Sequence, residues 1–328
     1  MILLRQLWSY NSKRRKRQFW FLLVLMVLAS LVESLSIAAI LPFLSALASP
    51  EILFNNHLIQ PLINLLELKK PDQILFPLTL FFIFAILISG ASRLLLLFVL
   101  TKFSFLTGAE LSLNIYQRTL YQDYSVHLSR NSSEVVNGIV KKTDIIISNI
   151  FVPFLTLISS IFLLIGIISI LFIVNFFITM SLLSGFGIIY AGIILIRKKT
   201  IANNSLTIAK KSDHMIKVIK EGLGSIRDII LEAKQEFYSK LYLKADYPFR
   251  RAEGSNQFIA ASPKFIIESL GISLIALVAL YLVGSQNSSS NYIAVLGVLV
   301  MACQRMLPIF QQAYASYTCL LYTSPSPR

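Results

Sequence analysis

Apolar residues in this chain gather into six runs, at about 19–44, 76–101, 150–174, 176–196, 257–284 and 291–314. Each is near or above the roughly 20 residues that a helix needs to cross about 30 Å of hydrocarbon. Lipid offers no hydrogen-bond partner, so a spanning segment must satisfy its backbone internally. Runs this long exceed a barrel strand and predict helices. The expected fold is an all-α membrane protein with six transmembrane helices. A mean hydropathy of +0.70 and only 14% charged residues agree with that class. The third and fourth runs are separated only near Asn175, which predicts a tight helical hairpin.

The basic residues set the orientation. The formal charge is +14, and Lys and Arg fall in alternate gaps between the runs. "KRRKR" precedes the first run, Arg118, Arg130, Lys141 and Lys142 lie between the second and third, and a basic stretch from Arg197 to Arg251 joins the fourth to the fifth. The other side carries only Lys69 and Lys70 and an uncharged "SQNSSSN". Positive residues stay inside, so both termini and both long connections belong in the cytosol. Charge laid out this way writes topology; it is not the grouped basic, aromatic surface of a nucleic-acid binder. The first run is too long for a signal-peptide core and has no small-residue cleavage site, so it reads as a retained span. Cys303 and Cys319 would stand about 24 Å apart on one helix, too far for a bridge. His57, His127 and His214 are scattered without a second ligand at helical spacing, which argues against a metal site.

The two cytosolic connections are about 45 and 60 residues long and lack linker texture. Residues 102–123 and 197–247 have few breakers and Leu or Ile at helical spacing, so the spans are expected to continue as long cytosolic rods. Short turns at "DYSVHLSRNSSE" and "EGLGSIRD" would reverse the chain at the tips. The outer segment "HLIQPLINLLELKK" carries Leu58, Leu62, Leu65 and Leu66 on one face, as a short helix on the outer leaflet would. Pro42, Pro153, Pro263 and Pro308 lie in or at the ends of spans and permit kinks.

Ionisable residues at membrane depth cost several kcal/mol and mark functional positions. They are Glu33, Arg93, Lys264, Glu268 and Arg305. Counted along the runs, Glu33 lies about 21 Å from the cytosolic end of its span, in the outer half. Arg93, Lys264 and Arg305 fall at similar depth in the inner half. A Glu33–Arg93 pair would have to close roughly 15 Å of depth, so Glu33 is expected to face a hydrated cavity with another polar partner. A neutral, protonated Glu33 bonded to a neighbouring helix is the alternative. The three basic residues could ring an inward cavity and attract an anionic headgroup such as a pyrophosphate. Snorkelling, or a Lys264–Glu268 pair at i, i+4, would serve equally for Lys264.

Six spans with two long helical connections resemble the transmembrane domain of ABC exporters over about residues 1–317. "EGLGSIRDIILEAKQEFYSKLY" has that family's Glu-x-x-x-x-Ile-[Arg/Lys] pattern followed by Glu-x-Phe, and "HLSRNSSEVVNGIVKKTD" is similar to the segment around its first coupling helix. The "RNSSE" version, "QRMLPIF" and "ILPFLSALASPEILFNN" resemble the branch of bacterial lipid-linked oligosaccharide flippases and polysaccharide exporters.

The resemblance implies a homodimer in the bacterial cytoplasmic membrane that moves an amphipathic anionic substrate, coupled through the loop tips to an ABC nucleotide-binding domain. Tyr124, Ser125, His127 and Arg130 would form one coupling element, and Glu221, Gly222 and Arg227 the other. Arg93, Lys264, Arg305 and Glu33 would be the substrate-facing residues. ATP and Mg²⁺ would sit on the nucleotide-binding domain, because this chain has no G-x-x-x-x-G-K-[ST] loop and binds no cofactor of its own. Residues 318–328, ending "CLLYTSPSPR", turn to Ser and Pro and read as a truncated or non-native tail. The alternatives are an exporter of peptide or lipid, or a multi-pass glycosyl- or acyltransferase. The transferase would need a cluster of acidic or His residues at the membrane surface, which the chain lacks.

Overall fold

The computed structural model describes residues 12–48, 50–54, 60, 71–129, 132–174, 176–284 and 291–322. Every described element is helical. In chain order they are α1 Lys13–Ala38, α2 Ile40–Ala48, α3 Pro50–Phe54, α4 Leu75–Leu120, α5 Tyr124–Ser129, α6 Ser132–Ile139, α7 Lys141–Ile146, α8 Val152–Val174, α9 Phe176–Gly224, α10 Ile226–Leu231, α11 Gln235–Ala261, α12 Pro263–Gly284 and α13 Asn291–Tyr322. A wider π turn, Ile147–Phe151, joins α7 to α8.

Local sequence explains where these helices break. Ser12 caps α1 by accepting the Arg15 amide at 3.3 Å. Pro42, Pro153 and Pro263 all lie within the first three residues of a helix, where a missing N–H costs little. They therefore mark the breaks between α1 and α2, between the π turn and α8, and between α11 and α12. Pro308 alone of the four sits in a helix interior, in α13.

Among the described residues, five stretches are long and apolar enough to cross a bilayer: Lys13–Leu47, Leu75–Leu120, Lys141–Val174, Thr179–Gly224 and Gln235–Leu277. They correspond to the first five apolar runs, the fourth stretch starting at Thr179 and the fifth ending at Leu277. The sixth run lies on α13, where Gln304, Arg305, Gln311 and Gln312 interrupt it, and is not among the five. The expected hairpin turn at Asn175, most of the outer segment 57–70, Arg130 and residues 323–328 lie outside the described residues. Up to Tyr322 the chain remains helical.

Two helices far exceed a bilayer. The 46 residues of α4 and the 49 of α9 would measure about 69 and 74 Å, against about 30 Å of hydrocarbon. The α9 shaft packs along α11, where Asn204 donates to Asn256 at 2.8 Å. At the foot of α1, Arg15 reaches across to Glu110 on α4 at 2.8 Å.

The buried interior is a seam, while the outside stays apolar. Ile37, Ile40, Ile167, Leu171, Ile267, Ala302 and Met306 form one core where α1, α2, α8, α12 and α13 meet. Leu22, Met26, Leu96, Leu100 and Leu155 form a second between α1, α4 and α8. Trp20, Phe21, Phe81, Phe84, Leu94, Leu97 and Ile188 are exposed, as side chains facing lipid should be.

With tails and core equally apolar, shape complementarity must hold such helices together. Gly166 on α8 lies against the Ser30 and Ser34 hydroxyls of α1, and Ser30 donates to the Phe162 carbonyl at 2.6 Å. A Cβ at Gly166 would collide with both serine oxygens. Gly108 on α4 gives the same close approach to Ile147. Where α9 meets α13, Tyr190 packs against Phe310 and Tyr314 with centroids 5.5 and 5.6 Å apart.

Candidate functional site: an ion cluster between α1, α4 and α13

Glu33 is completely buried, and three helices close around it. From α4, Arg93 donates through Nε to Glu33 Oε2 at 2.7 Å and through Nη2 to Oε1, a bidentate fork. From α13, Arg305 Nη1 reaches Glu33 Oε1 at 2.5 Å. Ser89, one turn before Arg93, also bonds Glu33 Oε2. Arg305 Nη1 further touches Ser36 Oγ at 2.7 Å and Ser89 Oγ at 3.3 Å. Both carboxylate oxygens thus accept from guanidinium donors.

This geometry corrects one expectation. Glu33 does not face a hydrated cavity with another partner; it is buried and pairs with Arg93 directly. The estimated 15 Å gap failed because the ends of apolar runs are not level markers. Hydrophobic length licenses a span, while packing against neighbours sets its height and tilt. Here α4 packs so that Arg93 lies beside Glu33 wherever the ends of the two runs fall, and the long Arg93 side chain completes the reach. Lys264 does not join the cluster. It is exposed on the second position of α12, and Glu268 is exposed one turn further along.

Ser36 and Ser89 were not singled out from sequence. The available signal was their spacing: Ser36 is three residues after Glu33, and Ser89 four before Arg93, each on one helix face with its charge.

Arg93 has a second environment. It lines a cavity of about 230 Å³ between α4, α8 and α13, together with Thr156, Ser159, Gln312 and a wall that includes Leu97, Leu100 and Pro308. Among the described residues, no group of three His, Cys, Asp or Glu side chains could hold a metal ion.

At the two loop tips the chain forms short helices. Tyr124, Ser125 and His127 lie exposed on α5. Glu221 and Gly222 lie in the last turn of α9, and Arg227 lies exposed on α10. The turn from α10 into α11 closes with Ala233 at φ 51° and a Lys234 amide bond to the Ile229 carbonyl at 2.9 Å. This is a Schellman closure with alanine in the place glycine usually takes. Beneath it, Val218, Gly222, Ile229, Tyr238 and Tyr242 border an apolar cavity of about 390 Å³.

Long helices, an apolar exterior and an ion cluster held between spans define a multi-pass membrane protein. The family model described as the ABC transporter transmembrane region matches residues 19–307. The chain belongs to that family, and is the membrane part of an ABC transporter. An ABC nucleotide-binding domain is therefore its partner.

Proposed function

We propose that this chain is the membrane domain of an exporter or flippase for an amphipathic anionic substrate, with a lipid-linked oligosaccharide as the leading class. Six helices cross the membrane, α13 being the sixth, and α4 and α9 carry their excess length into the cytosol. Two copies pair, in the bacterial cytoplasmic membrane, around a shared path. The tips at Tyr124, Ser125, His127 and Arg130 and at Glu221, Gly222 and Arg227 meet the nucleotide-binding domains, where ATP and Mg²⁺ bind. Transport requires the two conformations to differ in their affinity for ATP, and these tips carry that difference.

The observation that supports an anionic substrate most is the pair Arg93 and Arg305. Two guanidiniums from different helices meet inside the membrane, and one of them borders a cavity. Lys264, exposed near the start of α12, is a contact for the same headgroup on approach.

The test uses the complete transporter with its nucleotide-binding domain. Arg93→Gln and Arg305→Gln are combined with Glu33→Gln so that no charge is left orphaned. Assembly should persist, while stimulation of ATP hydrolysis by lipid-linked saccharides should vanish. Undiminished stimulation would remove these residues from the substrate path.

A further inference from the structure

The cavity beside Arg93 has a charge that can be counted. One carboxylate, Glu33, faces two guanidiniums, and arginine stays protonated in proteins. Among the described residues neither arginine is within ion-pair distance of a second acid. The cluster therefore keeps one unit of positive charge inside the membrane.

The two arginines hold that charge differently. Arg305 bonds Glu33, Ser36 and Ser89 through Nη1 alone, its side chain is only 16% exposed, and it does not line the cavity. Arg93 gives Nε and Nη2 to Glu33, while Nη1 makes none of these bonds, and 37% of its side chain is exposed. The cavity it lines adds the Thr156 and Ser159 hydroxyls and the Gln312 amide, and no carboxylate. All of these groups can donate to an anionic oxygen.

From this we infer that the cavity takes a singly charged phosphodiester headgroup of a lipid. The inference rests on the exporter reading and narrows its substrate. A monoanion leaves the filled site neutral. A pyrophosphate would leave net negative charge in a low-dielectric interior, which is costly. Size points the same way. At about 230 Å³ the cavity is smaller than the roughly 300–1,000 Å³ sites that enclose whole small molecules. It holds a headgroup while the rest of the ligand lies outside, and Leu97 on its wall is 65% exposed, where an acyl chain can pass.

The experiment places the full chain in nanodiscs of phosphatidylcholine and measures displacement of a fluorescent phosphatidylglycerol. The competitors are phosphatidylglycerol, an isoprenyl pyrophosphate, and soluble glycerophosphoglycerol. Phosphatidylglycerol should compete about tenfold better than the pyrophosphate, the scale of one charge-assisted hydrogen bond. The soluble diester should compete more weakly than the lipid. Glu33→Gln raises the cluster to two positive charges and should reverse the order of the two lipids. Thr156→Val with Gln312→Leu leaves the ion cluster intact and should weaken phosphatidylglycerol binding at unchanged melting temperature.

A wild-type preference for the pyrophosphate, an unreversed order in Glu33→Gln, or unaffected binding in the Thr156/Gln312 variant would each overturn the monoanion assignment while leaving the exporter reading standing. Equal competition by the soluble diester would overturn the lipid half of it. If no anionic lipid displaced the probe better than phosphatidylcholine does, the anionic-substrate reading would fall as well.

Discussion

Glu33 is tolerable inside a membrane because it is never alone there. Each of its oxygens is held by guanidiniums from helices distant in sequence, with Ser89 closing the remaining side. Such a cluster specifies which helices meet more than it adds stability, because desolvation offsets most of the attraction. Removing one member should therefore hurt more than removing all of them. Glu33→Ala alone strands two cations and should cost about 3–5 kcal/mol, read as a drop in the melting midpoint in detergent. Replacing Glu33, Arg93 and Arg305 together by Leu, Met and Met should recover most of that loss. If the triple replacement melts no higher than the single one, the cluster is a true source of stability. Gly166 makes a separate residue-scale prediction. Gly166→Leu must push α8 off Ser30 and Ser34 and should destabilise by about 1–3 kcal/mol, against near-neutrality for Gly90→Leu, where an added Cβ meets no neighbouring element within 4 Å.

Among the elements, the shafts dominate. α4 and α9 are longer than any bilayer requires, and α9 lies along α11 for much of its length. On the proposed reading the polar ends of these helices stand in water, and the side of the membrane they occupy would fix the topology. Lys240 on α11 has a side chain 75% exposed, and cysteine placed there should react with an impermeant maleimide only after the cytosolic face is opened. Labelling of intact cells would invert the arrangement. Sequence periodicity gave these rods correctly in kind, because a run without breakers has few alternatives to helix. It could not give the break at Ser262–Pro263 within the fifth apolar run, since proline at a first helical turn and proline at a kink look alike in sequence.

At the scale of the whole molecule, the proposed reading has the nucleotide-binding partner lever the transmembrane domain through its loop tips. The apolar cavity beneath α10 sits where α9, α10 and α11 converge, so packing there controls how rigidly that tip moves. Ile229 is 5% exposed beside that cavity. In the complete transporter, Ile229→Asp should loosen the tip and lower transport per ATP hydrolysed, with substrate binding retained. Transport and hydrolysis remaining in their original proportion would show that the tip does not carry the coupling.

By itself the sequence determined the class of fold, the helical rods and the residues that had to be explained. Hydrophobic run length and the avoidance of bare backbone in lipid leave helices as the outcome, and charge at depth singles out Glu33, Arg93 and Arg305. Only the tertiary structure decided which of those charges meet. Height along the membrane normal comes from how helices pack, and a count of residues along one run carries no information about its neighbour. Arg93 therefore moved from an expected ring of cations to a shared position between Glu33 and a cavity, and Lys264 stands outside the Glu33 cluster.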